Sequence, residues 1–205
     1  MRKLICGSML LAGAGLFASI GIRAQVTSSP LRHSSVSADL GVTFTLERAQ
    51  MVPGRCCFWL QGGSVDAAAT FWRGLGIAAS MAGNHSTDAM HGVDVNKITG
   101  LAGPRYTYTV WSGQTQVGDR RRVQVFGQAL IGGVHGFNGL YPWPGGATTS
   151  ADSFALEAGG GLNLYFSNRV GWRLAEVEYV RTELPNNGTN TQNDLRLAFG
   201  MTFHF

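Results

Sequence analysis

Three side chains in a polar stretch of the sequence have a spacing that could bind a metal ion. His85, Asp88 and His91 follow the pattern H-x-x-D-x-x-H within residues 83–100. Imidazole nitrogens and carboxylate oxygens are common zinc ligands. However, no helical periodicity is evident that would bring the three side chains onto one face. We therefore expect an exposed polar loop there, and we predict no metal site and no cofactor.

Two adjacent thiols are the other reactive groups. Cys56 and Cys57 follow Pro53-Gly54, a dipeptide typical of turns, so they belong to a loop. The third cysteine, Cys6, lies in a segment that we expect to be removed. A strained vicinal disulfide and two free thiols both fit the sequence.

Seven charged residues occur in segments where polar and apolar side chains alternate. They are Asp66, Arg105, Glu157, Arg173, Glu176, Glu178 and Arg196. Successive side chains in a β-strand point to opposite faces, so the alternation puts these charges on one face of a sheet. Inside a narrow closed barrel, opposite charges would pair with one another. We therefore predict a salt-bridged lumen network of these residues.

The longest alternation is in the last eleven residues, 195–205. Arg196, Ala198, Gly200, Thr202 and His204 separate the apolar residues Leu195, Leu197, Phe199, Met201, Phe203 and Phe205. A soluble sandwich strand can alternate too, but rarely over this length. A transmembrane β-strand needs about 9–11 residues, apolar toward lipid and polar or small toward the lumen. The segment therefore predicts a membrane-crossing strand.

The first 24 residues have the features of a secretory signal peptide. Arg2 and Lys3 precede an apolar run over residues 4–22, and Ala24 offers a cleavage site. A retained membrane anchor is the alternative, but no basic flank follows the run. Cleavage would remove three basic residues, with Arg23 the third, and leave thirteen against twelve acidic residues. This near balance argues against nucleic-acid binding. We expect residues 25–37 to be flexible.

Alternation elsewhere predicts seven further strands, so that residues 38–205 form one β-barrel domain. The eight strands span residues 39–47, 63–72, 75–82, 102–111, 122–134, 153–166, 171–182 and 195–205. Long loops follow the odd-numbered strands, at residues 48–58, 83–100, 135–152 and 184–193, and short turns follow the even-numbered ones. Transmembrane barrels sort their connections in this way, with short periplasmic turns and long external loops.

The seventh strand breaks the alternation. Trp172 and Leu174 lie in the same phase as Glu176 and Glu178, which would therefore face lipid. A β-bulge near Ala175 would return both carboxylates to the lumen and put the intervening apolar side chains outside. We predict such a bulge.

With these strands placed, the chain resembles small outer-membrane barrels of the OmpA type, and more closely the single-domain outer membrane protein β-barrel family. The signal peptide and the following segments carry the resemblance: Gly62-Gly63-Ser64, residues 130–133, residues 159–162, Arg173, Tyr179 and residues 195–205.

The resemblance implies an all-β, eight-stranded, antiparallel, transmembrane up-and-down β-barrel in the bacterial cell outer membrane. It also implies a monomer that contacts outer-membrane lipid and lipopolysaccharide. The barrel-assembly machinery would recognise the C-terminal strand through Leu197, Phe199, Met201, Phe203 and Phe205.

Three functions fit this architecture. The first is a non-catalytic structural, envelope or surface-binding role through the external loops. A narrow porin-like channel for ions or small solutes is the alternative. A lipid A-modifying enzyme is the third, but deacylases of this shape have a His-x-Ser arrangement, and His135 is followed by Gly136 and Phe137. His204 should lie at the opposite end, so we predict no catalytic residues.

Overall fold

The computed structural model describes residues 36–49, 57–90, 93–114 and 120–205. The predicted signal peptide lies outside these ranges, as do residues 25–35 of the segment predicted to be flexible. Most of the predicted loop at residues 48–58 also lies outside them. The described residues include no helix long and apolar enough to cross a membrane.

Eight strands form one sheet that closes on itself. Each strand pairs antiparallel with its sequence neighbours, and the first strand also pairs with the last. The strands are β1 (Ser37–Ala49), β2 (Phe58–Trp72), β3 (Leu75–Met90), β4 (Val93–Gln114), β5 (Arg120–Trp143), β6 (Gly146–Tyr165), β7 (Val170–Thr182) and β8 (Gln192–His204). The predicted all-β, eight-stranded antiparallel up-and-down barrel is confirmed.

Burial alternates over most of the barrel as the sequence pattern predicts, but residues 108–112 of β4 and 146–150 of β6 are exposed on both faces. In β8, Arg196 is 1% exposed whereas its neighbour Leu197 is 37% exposed. Phe199, Met201 and Phe205 share the outer face with Leu197 and are exposed, and Phe203 is half-buried there. The barrel is therefore apolar outside, and its interior combines polar and charged side chains with an apolar cluster that includes Leu101, Leu130 and Val134.

A bulge in β7 restores the phase of that strand. Arg173 pairs with Asn163 while Ala175 pairs with the adjacent Leu162, and the pairing of β7 with β8 shifts at the same place. Glu176 and Glu178 are consequently buried inside. The predicted bulge is confirmed.

A bulge in β4 makes one sequence prediction wrong. In the sequence, Arg105, Thr107, Thr109 and Trp111 alternate with Pro104, Tyr106, Tyr108 and Val110, which predicts that Trp111 shares the inner face with Arg105. However, the register shifts between Thr109 and Trp111. Because a bulge inserts one extra residue, the side chains beyond it change faces. Trp111 therefore lies outside and is exposed.

The predicted loops at residues 83–100 and 135–152 are also wrong. β3 continues to Met90 and β4 begins at Val93, while β5 and β6 are joined by a turn at residues 144–145. Beyond a membrane both faces of a strand can be polar, so the hydrophobic alternation disappears although the backbone pairing continues. The last predicted loop is confirmed for residues 184–191, which form no strand, whereas Gln192 and Asn193 already belong to β8.

The barrel consequently has two different ends. At one end, which we call the turn end, lie both termini of the barrel and the short connections at residues 73–74 and 166–169. The termini are joined there, since the Phe205 N–H donates to the Ala38 carbonyl at 2.8 Å. The long β3–β4 and β5–β6 hairpins extend the opposite end, the hairpin end.

Candidate functional site

All seven charged residues predicted for the lumen lie inside the barrel, and each is at most 4% exposed. The structure brings them together in two layers along the barrel axis. The turn-end layer consists of Asp66, Arg105, Arg173 and Glu176. The hairpin-end layer contains Glu157, Glu178 and Arg196, together with three residues that the sequence reasoning did not assign to the network: Glu47, Lys97 and Asp194.

In the turn-end layer, Asp66 is shared by two arginines. Arg105 Nη1 donates to Asp66 Oδ2 at 3.0 Å, and Arg173 Nη2 donates to the same oxygen at 3.1 Å. Arg173 Nη1 bonds the other oxygen of Asp66 and also Glu176 Oε2, the latter at 2.9 Å. Two cations and two carboxylates thus form a balanced cluster.

An aromatic ring and a glycine complete this layer. The Phe126 ring lies against both arginines, with its centroid 3.7 Å from Arg105 Cζ and 4.8 Å from Arg173 Cζ. Cations over an aromatic face are attracted by the ring quadrupole. At Gly41 a Cβ atom would overlap Asp66 Oδ1 and lie 2.9 Å from both terminal nitrogens of Arg173. The layer is therefore tightly packed as well as paired.

In the hairpin-end layer, Arg196 contacts three carboxylates. Its Nε donates to Glu47 Oε2 at 3.1 Å, and its Nη1 donates to Glu157 Oε2 at 2.7 Å. The same Nη1 lies 3.5 Å from Glu178 Oε2. Each charged group is therefore buried beside an opposite charge.

Lys97 is the second cation of this layer. Its Nζ pairs with Glu47 and lies 3.2 Å from Asp194 Oδ2. Asn84 Nδ2 also donates to Glu47 Oε2, at 2.8 Å. The alternation could have identified Glu47 and Asp194 as inward residues. Glu47 lies two residues after the inward Thr45, and Asp194 lies two residues before the inward Arg196. Lys97 could not be identified in this way, because it falls in a stretch predicted to be a loop.

Gln128 connects the two layers. Its Nε2 atom donates to Glu178 Oε1 at 2.9 Å. The same atom lies 3.3 Å from Glu157 Oε1 and 3.3 Å from Glu176 Oε1. A neutral amide therefore separates three carboxylates that would otherwise repel one another.

Side chains narrow both ends of the lumen, and a polar pocket of about 370 Å³ bordered by Asp39, Thr109 and Gln124 opens at the turn end. At the turn end, the Tyr165 hydroxyl donates to Asp39 Oδ1 at 3.0 Å, and His204 Nδ1 lies 2.7 Å from the same oxygen. At the hairpin end, the buried side chains of Leu60, Tyr141 and Leu184 lie above the ion pairs. They border a cavity of about 20 Å³ next to Lys97 and Asp194, which has room for little more than a water molecule.

The residues considered for metal binding do not assemble into a site. His85 faces outward and its Nδ1 lies 2.7 Å from Asn96 Oδ1 on the paired strand. The side chain of Asp88 and all of His91 lie outside the described residues. Among the side chains that are described, no group of three His, Cys, Asp or Glu residues is placed to hold a metal ion.

The remaining reactive groups lie near the hairpin end. Cys57 is half-buried with a free thiol, and its neighbour Cys56 lies outside the described residues. His135 lies outside the lumen, on the extended part of β5, where its Nδ1 is 2.6 Å from Asp152 Oδ1.

Comparison with protein families and with curated proteins finds no match. Comparison with solved structures finds Ail, the attachment invasion locus protein of Yersinia pestis, in complex with the heparin analogue sucrose octasulfate. The two chains are 15% identical with a TM-score of 0.52, over 83% of this chain and 99% of that one. Neisserial surface protein A (NspA) matches at 13% identity with a TM-score of 0.54, over 83% of this chain and 97% of that one. The chain therefore has the fold of the small outer-membrane β-barrels.

Proposed function

We propose that this protein is an integral protein of the bacterial cell outer membrane, with its turn end in the periplasm. The outer face supports this location, because large apolar side chains are exposed on every side of the barrel. Water would disfavour so extensive an apolar surface, whereas lipid and lipopolysaccharide acyl chains would cover it. Examples are Val42, Phe44, Val65, Ile77, Ile131, Leu174, Val177 and Phe199.

We further propose that the barrel is a non-catalytic structural or surface-binding protein. The observation that carries this proposal is the lumen, which the two layers of paired charges fill. An eight-stranded barrel is just wide enough for side chains to fill it, and here the side chains are large and mutually bonded. A solute would have to break several buried ion pairs to pass, so the narrow channel is the weaker candidate.

The hairpin end supports a role in surface contact. Tyr141 to Trp143 pair with Gly146 to Thr148. Among the described residues no further strand lies beside this part of the hairpin, since the pairing of β5 with β4 ends at Phe137, although the Asn187 N–H of the last loop donates to the Pro142 carbonyl at 3.0 Å. Leu140 and Trp143 are 46% and 50% exposed on it. Exposed aromatic and aliphatic side chains on a projecting hairpin are suited to bind another macromolecule.

The ligand of Ail is not part of this proposal. Sucrose octasulfate is a polyanion, whereas Asp152 and Glu183 are exposed close to the β5–β6 hairpin. Nearby Arg181 lies 3.7 Å from Glu183, so its charge is partly compensated. We therefore expect a less strongly charged partner.

Planar-bilayer recording of the purified protein is the decisive experiment on the lumen. We expect no steady conductance, no change in lipid A mass on overexpression, and recovery of the protein in the outer-membrane fraction. Steady conductance would favour the channel, and altered lipid A would favour the enzyme. Recovery in the soluble periplasmic fraction would contradict the location itself.

Surface contact is tested with cells that display the protein on a panel of immobilised proteins and saccharides. Trp143→Ala should lower retention of the cells on any member that binds the wild type. Trp111→Ala is the matched control, because Trp111 is equally exposed but lies near the turn end. Equal retention of both variants would rule out the hairpin as the contact.

We also propose that the barrel-assembly machinery recognises β8. Its apolar outer face ends in the terminal aromatic residue Phe205, which is exposed. Deletion of Phe205 should lower the amount of assembled protein in the outer membrane, as measured by heat-modifiable migration on gels. Unchanged assembly would contradict the proposal.

A further inference from the structure

An apolar groove of about 740 Å³ lies on the outer face of the barrel, near the turn end. Ala67 of β2 pairs with Ala79 of β3, which pairs in turn with Ala102 of β4. At this level of the barrel, three adjacent strands therefore present only methyl groups to the outside. Larger side chains border this floor, including Leu40, Ile77 and Phe205. The volume falls within the range of about 300–1,000 Å³ that is typical of small-molecule sites.

The groove leads to an aromatic side chain and then to a cation. Ala69 pairs with Ile77 inside the groove, and Trp72 pairs with Leu75 closer to the turn end. Trp72 is 61% exposed, and Arg73 follows it in the turn with its Cζ 5.7 Å from the Trp72 ring. Apolar, aromatic and cationic groups thus succeed one another along the barrel axis, as acyl chain, interface and phosphate do in a phospholipid.

Among the described residues of the turn end, the exposed charged side chains are arginines. Arg73, Arg120, Arg121 and Arg169 are all exposed there, whereas Asp39 is buried against Tyr165 and His204. Exposed arginines next to a bilayer attract anionic headgroups. The surface at the mouth of the groove is therefore complementary in charge to an anionic lipid.

We propose that this groove binds an anionic phospholipid of the periplasmic leaflet. One acyl chain lies against Ala67, Ala79 and Ala102, and the Arg73 guanidinium donates hydrogen bonds to the headgroup phosphate. This inference rests on the membrane location proposed above. It adds a specific lipid site to a surface that would otherwise contact lipid without preference.

Native mass spectrometry of the full-length mature protein, released from non-ionic detergent, tests the site. The probes are phosphatidylglycerol and phosphatidylcholine, which differ in headgroup charge. We expect the wild type to retain phosphatidylglycerol preferentially. Arg73→Gln should lower that retention about fivefold, the factor expected for one arginine beside an anionic surface. Arg169→Gln, at another turn of the same end, should retain as much lipid as the wild type.

A second pair of variants tests the groove itself. Ala79→Leu fills the floor with an apolar side chain and should lower the retention of both lipids. Ala158→Leu adds the same side chain to the outer face of β6, away from the groove, and should have no effect. Heat-modifiable migration verifies that each variant forms a barrel.

Three outcomes would overturn the inference. The first is equal retention of the two lipids by the wild type, and the second is an Ala79→Leu variant that retains lipid normally. The third is a wild-type dimer that Ala79→Leu dissociates, because the groove would then hold a second copy of the chain. Wild-type protein that fractionates with the outer membrane but shows no lipid preference would contradict this inference alone. A soluble protein would contradict the proposed location as well.

Discussion

The two layers of the lumen network differ in their balance of charge. In the turn-end layer, two arginines face two carboxylates, and Asp66 serves both arginines. In the hairpin-end layer, Lys97 and Arg196 face four carboxylates, those of Glu47, Glu157, Glu178 and Asp194. The acidic side chains there exceed the basic ones by two, and neutral donors such as Gln128 supply part of their hydrogen bonding.

This difference indicates that equivalent substitutions should have unequal effects. Breaking a buried ion pair is strongly destabilising when it leaves an uncompensated charge behind. In the balanced turn-end layer, loss of the Asp66 carboxylate leaves Arg105 without its partner and Arg173 with Glu176 alone. In the acidic hairpin-end layer, a lost carboxyl group can instead relieve repulsion. The predictions below test this contrast, from the largest expected effect to the smallest.

Asp66→Asn should have the largest effect. It removes the one carboxylate that Arg105 contacts and two of the contacts of Arg173, while the side chain keeps its shape. We expect a loss of about 3–5 kcal/mol in the free energy of unfolding. Urea unfolding of the protein in lipid vesicles, followed by heat-modifiable migration, measures it. Asp152→Asn is the control, because that carboxylate is exposed at the hairpin end. A loss no greater than the control's would contradict the ion-pair account.

The same two layers show how far the sequence predicts the site. Every charged member of the turn-end layer was predicted, because all four lie where one side of the strand is apolar and the alternation is clear. Lys97 was missed because β3 and β4 continue past residues 82 and 102, the bounds that the alternation predicts for them. There the pattern that identifies a strand is lost, although its inward side chains still enter the lumen.

Packing inside the lumen was less predictable than charge. The inward phase of Phe126 follows from alternation in β5, but its contact with two arginines depends on the registers of four strands. Gly41 likewise looks like any small inward residue in the sequence. Only the closed barrel shows that its missing side chain makes room for the Asp66–Arg173 pair.

Gly41→Ala should have an intermediate effect. The added methyl group would overlap Asp66 Oδ1 and crowd both terminal nitrogens of Arg173, so the turn-end layer would have to shift. Overpacking of this kind costs about 1–3 kcal/mol. Urea midpoints of the variant in vesicles measure the loss. Gly127→Ala is the matched control, because Gly127 faces outward and its Cβ would be no closer than 3.8 Å to the Gly159 oxygen. Equal midpoints for both variants would show that the layer is loosely packed.

Glu178→Gln should have the smallest effect, although Glu178 is as deeply buried as Asp66. Its oxygen lies 3.5 Å from Arg196 Nη1, whereas Glu157 Oε2 accepts a bond from the same nitrogen at 2.7 Å, so Arg196 keeps its shorter contact. The substitution removes one carboxylate and so reduces the acidic excess of the layer. The amide group that replaces it can donate a hydrogen bond to a neighbouring carboxylate. We expect the free energy of unfolding to change by less than about 1 kcal/mol, within the range of one net hydrogen bond. Glu157→Gln, measured by the same urea titration, should be clearly more destabilising because it weakens the shorter contact. If Glu178→Gln destabilised the barrel as much as Asp66→Asn, the two layers would be energetically equivalent and their difference in charge balance would have no effect on stability.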